Sequence, residues 1–198
     1  SNICWMYIKQ TYSTSTLLRE QYSDELPHLY TIRTDFQTAG RGQSGNSWES
    51  EAGKNLLFST LLRYEGIKAA EQWRLSMLVT VTLWEMLAKH LPYEQLTIKW
   101  PNDIYFGDKK LVGILIENAL IGQSVGYTIA GVGVNVNQTN WLSDAPNPIS
   151  LLNITGKREI TSAMESGKQA YAQAVSASIS DFFDTTEANG AVLARSEN

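Results

Sequence analysis

The chain has few of the side chains on which metal sites and histidine- or cysteine-based catalysis depend. It contains one cysteine and two histidines in 198 residues. A single cysteine cannot form an internal disulfide and fits a reducing compartment, and we expect Cys4 to be a small buried hydrophobic residue. His28 and His90 fall in segments predicted to be a loop and a helix end, so no histidine-based triad can be assembled.

The chain also lacks a basic surface and a long apolar run. Its 20 acidic and 16 basic residues give a net charge of −4, with no cluster of lysine and arginine, which argues against nucleic acid as a partner. The most apolar segment, residues 75–88, is interrupted by Glu85 and is shorter than the ~20 residues that a membrane span needs. Because no signal-peptide pattern is present either, we expect a cytoplasmic protein with no membrane partner.

The apolar periodicity predicts one domain of mixed secondary structure followed by a polar tail at 185–198. A short helix ending near residue 22 follows the hydroxyl-rich segment 11–16, whose side chains can cap that helix or hold a polar ligand. Strands are predicted at 4–8, 29–36, 55–63, 96–101, 104–106, 111–118 and 125–136, and further helices at 68–90, from 150 to a stop at Gly156, and at 162–183.

A glycine-rich segment at 37–48 is the most distinctive stretch. Gly40, Gly42 and Gly45 match the spacing of a dinucleotide-binding fingerprint, which requires a helix directly after the glycines. Only residues 46–54 separate Gly45 from the next predicted strand, too few for a crossover helix. We therefore predict a long loop between two strands, either a ligand-binding lid or a plain solvated loop.

The strand at 125–136 predicts a pocket floor. Alternation in Gly-Val-Gly-Val-Asn-Val-Asn places valines 132, 134 and 136 on one face and the glycines and asparagines on the other. Glycine inside a strand marks close approach by a ligand or another backbone, although a bulge or barrel corner gives the same pattern. Lys109 and Lys110 follow a predicted turn at Gly107-Asp108, where lysines are commonly only solvated.

Four motifs occur together in the chain. They are Gln37-Thr38-Ala39-Gly40-Arg41-Gly42 with Trp48, Lys99-Trp100-Pro101-Asn102-Asp103, Lys110-Leu111-x-Gly113-Ile114-Leu115-x-Glu117, and Gly131-x-Gly133-x-Asn135. In this order and spacing, over roughly residues 10–165, the chain resembles the catalytic domain of biotin protein ligases.

This resemblance implies an α+β fold with a mixed, largely antiparallel sheet and helices on one face, similar to the class II aminoacyl-tRNA synthetase core. Residues 1–184 would form the biotin- and ATP-binding catalytic domain. No counterpart of the family's β-rich C-terminal domain, or of the DNA-binding domain that precedes the catalytic domain in some members, is evident. A homodimer through the central sheet, as in many relatives, is possible.

The implied activity is a two-step ligation. Biotin reacts with Mg-ATP to give biotinyl-5′-AMP and pyrophosphate, and a lysine of a biotin carboxyl carrier domain then takes the biotinyl group. Biotin is the substrate, ATP the co-substrate and Mg²⁺ the metal.

The resemblance also assigns residues to this chemistry. Arg41 and Lys110 would be catalytic, with Lys110 bridging the biotin carboxylate and the α-phosphate. The biotin site would comprise Ser13, Thr14, Gln37, Gly40, Arg41, Lys110 and Gly113. The ATP or adenylate site would comprise Arg41, Gly42, Gly45, Trp48, Lys99, Asn102, Gly133 and Asn135. Asp103 is a candidate ligand for Mg²⁺.

Two alternatives remain open. A lipoate or octanoyl ligase would have the same fold, although the Arg-Arg and triple-glycine motif of those enzymes is not seen here. The second is a truncated domain that binds biotin or the adenylate without efficient transfer, and the expected lack of a counterpart of the family's C-terminal domain favours it.

Overall fold

The described part of the chain folds around a seven-stranded sheet. The computed structural model describes residues 4–100, 102–143 and 147–157. In these ranges the strands are β1 Trp5–Thr11, β2 Thr31–Gln37, β3 Leu56–Leu62, β4 Leu96–Lys99, β5 Asp103–Phe106, β6 Lys109–Ile121 and β7 Ser124–Val134. The α-helices are α1 Thr14–Gln21, α2 Trp73–Ala88 and α3 Leu151–Thr155.

The sheet is mixed and largely antiparallel. The strand order is β1-β2-β3-β7-β6-β5-β4, and among these described strands β1 and β2 pair in parallel while the other neighbours are antiparallel. Parallel neighbours need a crossover connection, and α1 supplies it, so the N-terminus of α1 lies at the end of β1. Ser13 caps that helix through its side chain, which accepts a hydrogen bond from the Thr16 N–H at 3.3 Å. The predicted α+β class is confirmed.

Two hydrophobic clusters lie on opposite faces of the sheet. The larger cluster includes Phe58 and Val132, with side chains of α2 and α3, whereas the smaller one joins Leu18 of α1 to Leu61 and Ile129. Since successive side chains of a strand point to opposite faces, positions 58 and 61 of β3 face opposite ways. The expectation of helices on one face therefore holds for α2 and α3 and not for α1.

Several local expectations need correction. Cys4 is exposed rather than buried, because it lies just before β1 at the edge of the sheet. The apolar side of β4 is buried only at Leu96, while Ile98 and Trp100 are exposed, because β4 is the opposite edge strand. Gly156 ends α3 with a positive φ of 64°, as predicted. The predicted helix at 162–183 and the tail at 185–198 lie outside the described residues.

Candidate active site

A cavity of about 140 Å³ opens on the face of the sheet that carries α1. Its walls come from the N-terminus of α1, the glycine-rich loop, β6 and β7. The two central strands contribute Gly113 and the pair Gly131 and Gly133, which lack side chains that would fill the space. The prediction that the glycine face of β7 forms a pocket floor is therefore confirmed.

The glycine-rich loop folds back on itself between β2 and β3. An isolated bridge joins Arg41 to Ser47, and the Trp48 N–H donates to the Gly40 carbonyl at 2.9 Å. Gly40 is required by this closure, because a Cβ there would lie 2.5 Å from the Trp48 carbonyl oxygen. The next regular element is the strand β3, so the glycines open no crossover helix and the dinucleotide interpretation is excluded.

The indole of Trp48 lies directly on the glycine floor. A Cβ at Gly113 would be 2.4 Å, and one at Gly133 2.6 Å, from atoms of the ring. The Lys110 ammonium lies 5.6 Å from the ring centroid, within the range of a cation–π contact. The indole Nε1 is buried and has no hydrogen-bond partner among the residues that the structure describes, which leaves a donor available to a ligand.

The two cations assigned to catalysis reach the cavity from different walls. Lys110, near the start of β6, pairs with the Asp103 carboxylate at 2.8 Å. Arg41, on the loop, donates from Nη1 and Nη2 to the two oxygens of Glu117, at 3.1 and 2.7 Å. Both cations line the cavity and are partly exposed, and each is paired with a carboxylate, so an anion placed between them would compete with Glu117 and Asp103 for the two positive charges.

One end of the cavity is built from hydroxyl and amide groups. Ser59 Oγ lies 2.7 Å from both Thr14 Oγ1 and Ser15 Oγ, all three groups being buried. The Gln37 Oε1 accepts from the Thr14 N–H at 2.8 Å and from its hydroxyl at 3.2 Å. Because these bonds orient the amide, its Nε2 remains to donate elsewhere. This end of the cavity thus offers hydrogen-bond donors and acceptors together.

Not every predicted site residue reaches the cavity. Ten of the predicted residues line it, namely Ser13, Thr14, Gln37, Arg41, Gly42, Trp48, Asp103, Lys110, Gly113 and Gly133. The remaining five, Gly40, Gly45, Lys99, Asn102 and Asn135, are not in the cavity wall.

Three of those five have other contacts. The Lys99 ammonium lies over the Tyr105 ring at 4.9 Å, on the exposed edge strand. Asn102 and Asn135 are buried and donate to the backbone carbonyls of Ile114 and Lys110, at 3.2 and 3.3 Å. These two donations hold the side chains against the backbone of β6, and neither buried Oδ1 has a hydrogen-bond partner among the described residues.

Asp103 is a single carboxylate at the candidate metal position. Among the described residues, no three histidine, cysteine or acidic side chains come together as a ready-made metal site. Mg²⁺ commonly uses one or two carboxylates and completes its shell with phosphate oxygens and water. Asp103 could supply one such ligand to a nucleotide-borne ion.

A carboxylate also holds the end of the glycine-rich loop. Glu49, directly after Trp48, accepts hydrogen bonds from the N–H groups of Leu142 and Ser143 at 2.7 and 2.8 Å. Burial acts to raise the pKa of the Glu49 carboxyl, but these hydrogen bonds outweigh it and hold that pKa below its ordinary value. The loop is therefore fastened to a second surface segment at its C-terminal end.

Comparison with known proteins bears directly on this site. Residues 7–135 match the model of the Biotin/lipoate A/B protein ligase family, which covers more than half of the chain and every cavity wall. The chain belongs to this family.

Individual proteins of the biotin/lipoate ligase family are similar to this chain in sequence. The bifunctional ligase/repressor BirA of Bacillus subtilis is 35% identical over 126 residues, which are 64% of this chain and 38% of the relative. The biotin--[acetyl-CoA-carboxylase] ligase of Paracoccus denitrificans is 37% identical over 101 residues, 50% of this chain and 41% of the relative. The chain thus matches less than half the length of these two relatives.

A solved family structure has the same fold. The biotin protein ligase of Aquifex aeolicus in complex with biotin and ATP is 27% identical, with a TM-score of 0.68 over 91% of this chain and 70% of that one.

Within the part of the chain that the structure describes, no helix is long and apolar enough to cross a bilayer.

Two features of the cavity region could not be predicted from the sequence. Ser59 lies inside the fully buried strand β3, where a hydroxyl among leucines gives no indication of its partners. The pairing of Arg41 with Glu117 joins residues 76 positions apart. Glu117 was part of a recognised motif, yet only the fold shows what it contacts.

Proposed function

We propose that this chain activates biotin with ATP to biotinyl-5′-AMP and transfers biotin to a lysine of a biotin carboxyl carrier domain. The observation that carries the proposal is the cavity itself. It has a hydroxyl and amide end suited to the biotin ring, an apolar glycine and tryptophan floor, and two cations from separate walls. Membership of the ligase family and the ligands named for the Aquifex aeolicus protein support the same assignment.

The first step needs anions held together rather than a protein base. Biotin's carboxylate is ionised at neutral pH and can attack the α-phosphate directly, releasing pyrophosphate. The barrier lies in bringing two negatively charged groups together and in stabilising the charge on the phosphate oxygens. Lys110 and Arg41 supply preorganised positive charge for this, and the ammonium of Lys110 exchanges Asp103 for the bound anions.

Mg²⁺ bound together with ATP would supply positive charge to the phosphates. Asp103 is the described residue best placed to contact it beside Lys110. The contribution of the chain is then to align the carboxylate with the phosphate on the glycine floor.

The second step transfers the acyl group. A lysine amine of the carrier domain attacks the biotinyl carbonyl of the mixed anhydride, an amide forms and AMP leaves. The glycine-rich loop would cover the anhydride and protect it from water until the acceptor arrives. We expect this loop to be better ordered with the adenylate bound than without it.

The proposed acceptor, a biotin carboxyl carrier domain, is inferred from the name of a relative. The Paracoccus denitrificans protein is named as a ligase acting on acetyl-CoA carboxylase, which is consistent with a carrier domain as partner. A cytoplasmic location and a possible homodimer remain predictions, and gel filtration with and without biotin would test the latter.

The test uses the purified chain with biotin, Mg-ATP and a biotin carboxyl carrier domain. We expect biotin-dependent pyrophosphate release and biotinylation of the carrier. Absence of pyrophosphate release would reject the ligase assignment. Pyrophosphate release without labelling would instead favour the alternative of a domain impaired in transfer.

Lipoate and octanoate serve as competing substrates in the same assay, because the family includes lipoate ligases. Their chains are apolar where the biotin ring is polar, so the buried groups of Thr14, Ser15 and Gln37 would lose partners. We expect both acids to be poor substrates. Faster turnover of either one than of biotin would reassign the substrate.

A further inference from the structure

Two arginines share one carboxylate at the edge of the cavity. Glu117 of β6 accepts the two hydrogen bonds from Arg41 and also pairs with Arg19, near the end of α1. Glu117 lies on the same face of β6 as Gly113 and Leu115, which line the cavity. Arg41 lines the cavity too, whereas Arg19 does not.

The charge balance of this trio is informative. A pair of Glu117 and Arg41 alone would have no net charge, so an incoming anion would meet an arginine already neutralised by its partner. Adding Arg19 gives two positive charges and one negative charge, a net charge of +1. The second arginine therefore returns to the cavity edge the positive charge that Glu117 removes.

Glu117 and Arg19 have different effects on Arg41. Glu117 engages Nη1 and Nη2 of Arg41 and so fixes the plane of the guanidinium, which has five N–H donors in all. The donors that Glu117 does not use stay free for a ligand in the cavity. Orientation of Arg41 thus comes from Glu117, and its effective charge depends on Arg19.

We propose that Arg19 is a positioning residue for the anion site: it neutralises Glu117 so that Arg41 acts as a full cation toward an anionic ligand. The ligand class, an acyl-adenylate, rests on the proposed function. The electrostatic role of Arg19 toward Arg41 concerns binding and does not require turnover.

The effect has a predictable size. The three side chains are partly exposed, with 46%, 37% and 24% of Arg19, Arg41 and Glu117 accessible, so solvent screens their interactions. We expect Arg19→Gln to weaken binding of biotinyl-5′-AMP about threefold, the scale of an exposed charge contact. This loss should shrink as salt rises from about 50 mM to about 500 mM. At the higher concentration the screening length is only a few ångströms, so charges farther apart interact weakly.

The experiment measures the dissociation constant of biotinyl-5′-AMP by calorimetry at both salt concentrations. Arg19→Lys should retain tight binding. Arg74→Gln, which removes an equal charge at the start of α2 where Arg74 pairs with Glu71, should leave binding unchanged. The deciding variant is the double substitution Arg19→Gln with Glu117→Gln. It restores the net charge of +1 and should bind more tightly than Arg19→Gln alone.

Each outcome decides between this mechanism and its rivals. Wild-type affinity in Arg19→Gln, or a double variant no better than Arg19→Gln, would overturn the proposal, as would a wild-type chain that does not bind the adenylate. If Arg19 only stabilised the fold, the double substitution would deepen the defect and salt would not remove it. Adenylate binding with the expected variant pattern but no pyrophosphate release would reject the proposed ligase activity and leave the role of Arg19 standing.

Discussion

Lys110 connects the proposed chemistry to the wall of the cavity. Its ammonium is held by Asp103 at 2.8 Å and lies near the Trp48 ring, so it is already desolvated in part and aimed at the floor. We expect Lys110→Ala to slow biotin-dependent pyrophosphate release by at least one order of magnitude, the scale on which preorganised charge contacts act. The measurement is the single-turnover rate with saturating biotin and ATP.

Lys109→Ala is the matched control for this prediction. It removes the same charge one residue earlier, from an exposed side chain that is not in the cavity wall. Its rate should equal that of the wild type. Equal losses in the two variants would mean that general charge, rather than the position of Lys110, matters.

Gly133 offers a test of the contact between Trp48 and the floor. An alanine Cβ there would lie 2.6 Å from the rigid indole, so the ring must shift. We expect Gly133→Ala to lower the free energy of unfolding by about 1–3 kcal/mol, the usual cost of overpacking. Urea denaturation measures this cost, and Trp48→Leu in the same chain should relieve part of it.

The control for Gly133→Ala lies on the same strand. At Gly126 a new Cβ would meet the flexible end of the exposed Ile121 side chain, which can move aside. Gly126→Ala should therefore cost less than Gly133→Ala. If the losses of unfolding free energy caused by Gly133→Ala and Trp48→Leu simply add in the double variant, the Trp48 ring is not what makes Gly133→Ala destabilising.

Between elements, the hydroxyl of Ser59 ties β3 to the start of α1. It is the shared partner of Thr14 and Ser15, which line the cavity. Removing a buried partner leaves polar groups unsatisfied at about 1–3 kcal/mol. We expect Ser59→Ala to lower stability by about this amount and also to weaken biotin binding, as measured by calorimetry.

Thr60→Ala separates these two effects. Thr60 is buried next along β3 but faces the other side of the sheet, where its hydroxyl lies 2.9 Å from that of Thr31. This variant should lose stability and keep its affinity for biotin. If both variants bind biotin equally well, the Ser59 hydroxyl does not organise the biotin end.

The elements show which kinds of structure were predictable. The period-two pattern of β7 predicted a glycine floor, and the short spacing after Gly45 predicted a loop leading to a strand, because both depend on neighbouring residues. The exposure of Ile98 and Trp100 was not predictable, since the same alternation occurs in central and edge strands. Contacts such as Arg41 with Glu117 depend on the three-dimensional path of the chain, which no local pattern encodes.

At the scale of the whole molecule, the cavity joins parts that are far apart in sequence. Residues 13–15, 41–43, 46–48, 113–115 and 131–133 line it together with Lys110, and its floor belongs to the two central strands that also carry the larger hydrophobic cluster. A ligand that contacts all of these segments binds only when the sheet, α1 and the loop are assembled. Ligand binding should therefore stabilise the fold as a whole.

We expect biotinyl-5′-AMP to raise the melting temperature of the chain. Binding to the native state alone adds about 2.7 kcal/mol at a hundredfold excess over the dissociation constant, which for a chain of this size is roughly 5–10 °C. AMP alone contacts fewer of these segments and should give a smaller shift at equal concentration. At a fixed adenylate concentration, Arg41→Ala should reduce the rise in melting temperature, because weaker binding lowers the stabilisation that the ligand adds to the native state. A melting temperature unaffected by millimolar adenylate would contradict a cavity that closes around this ligand.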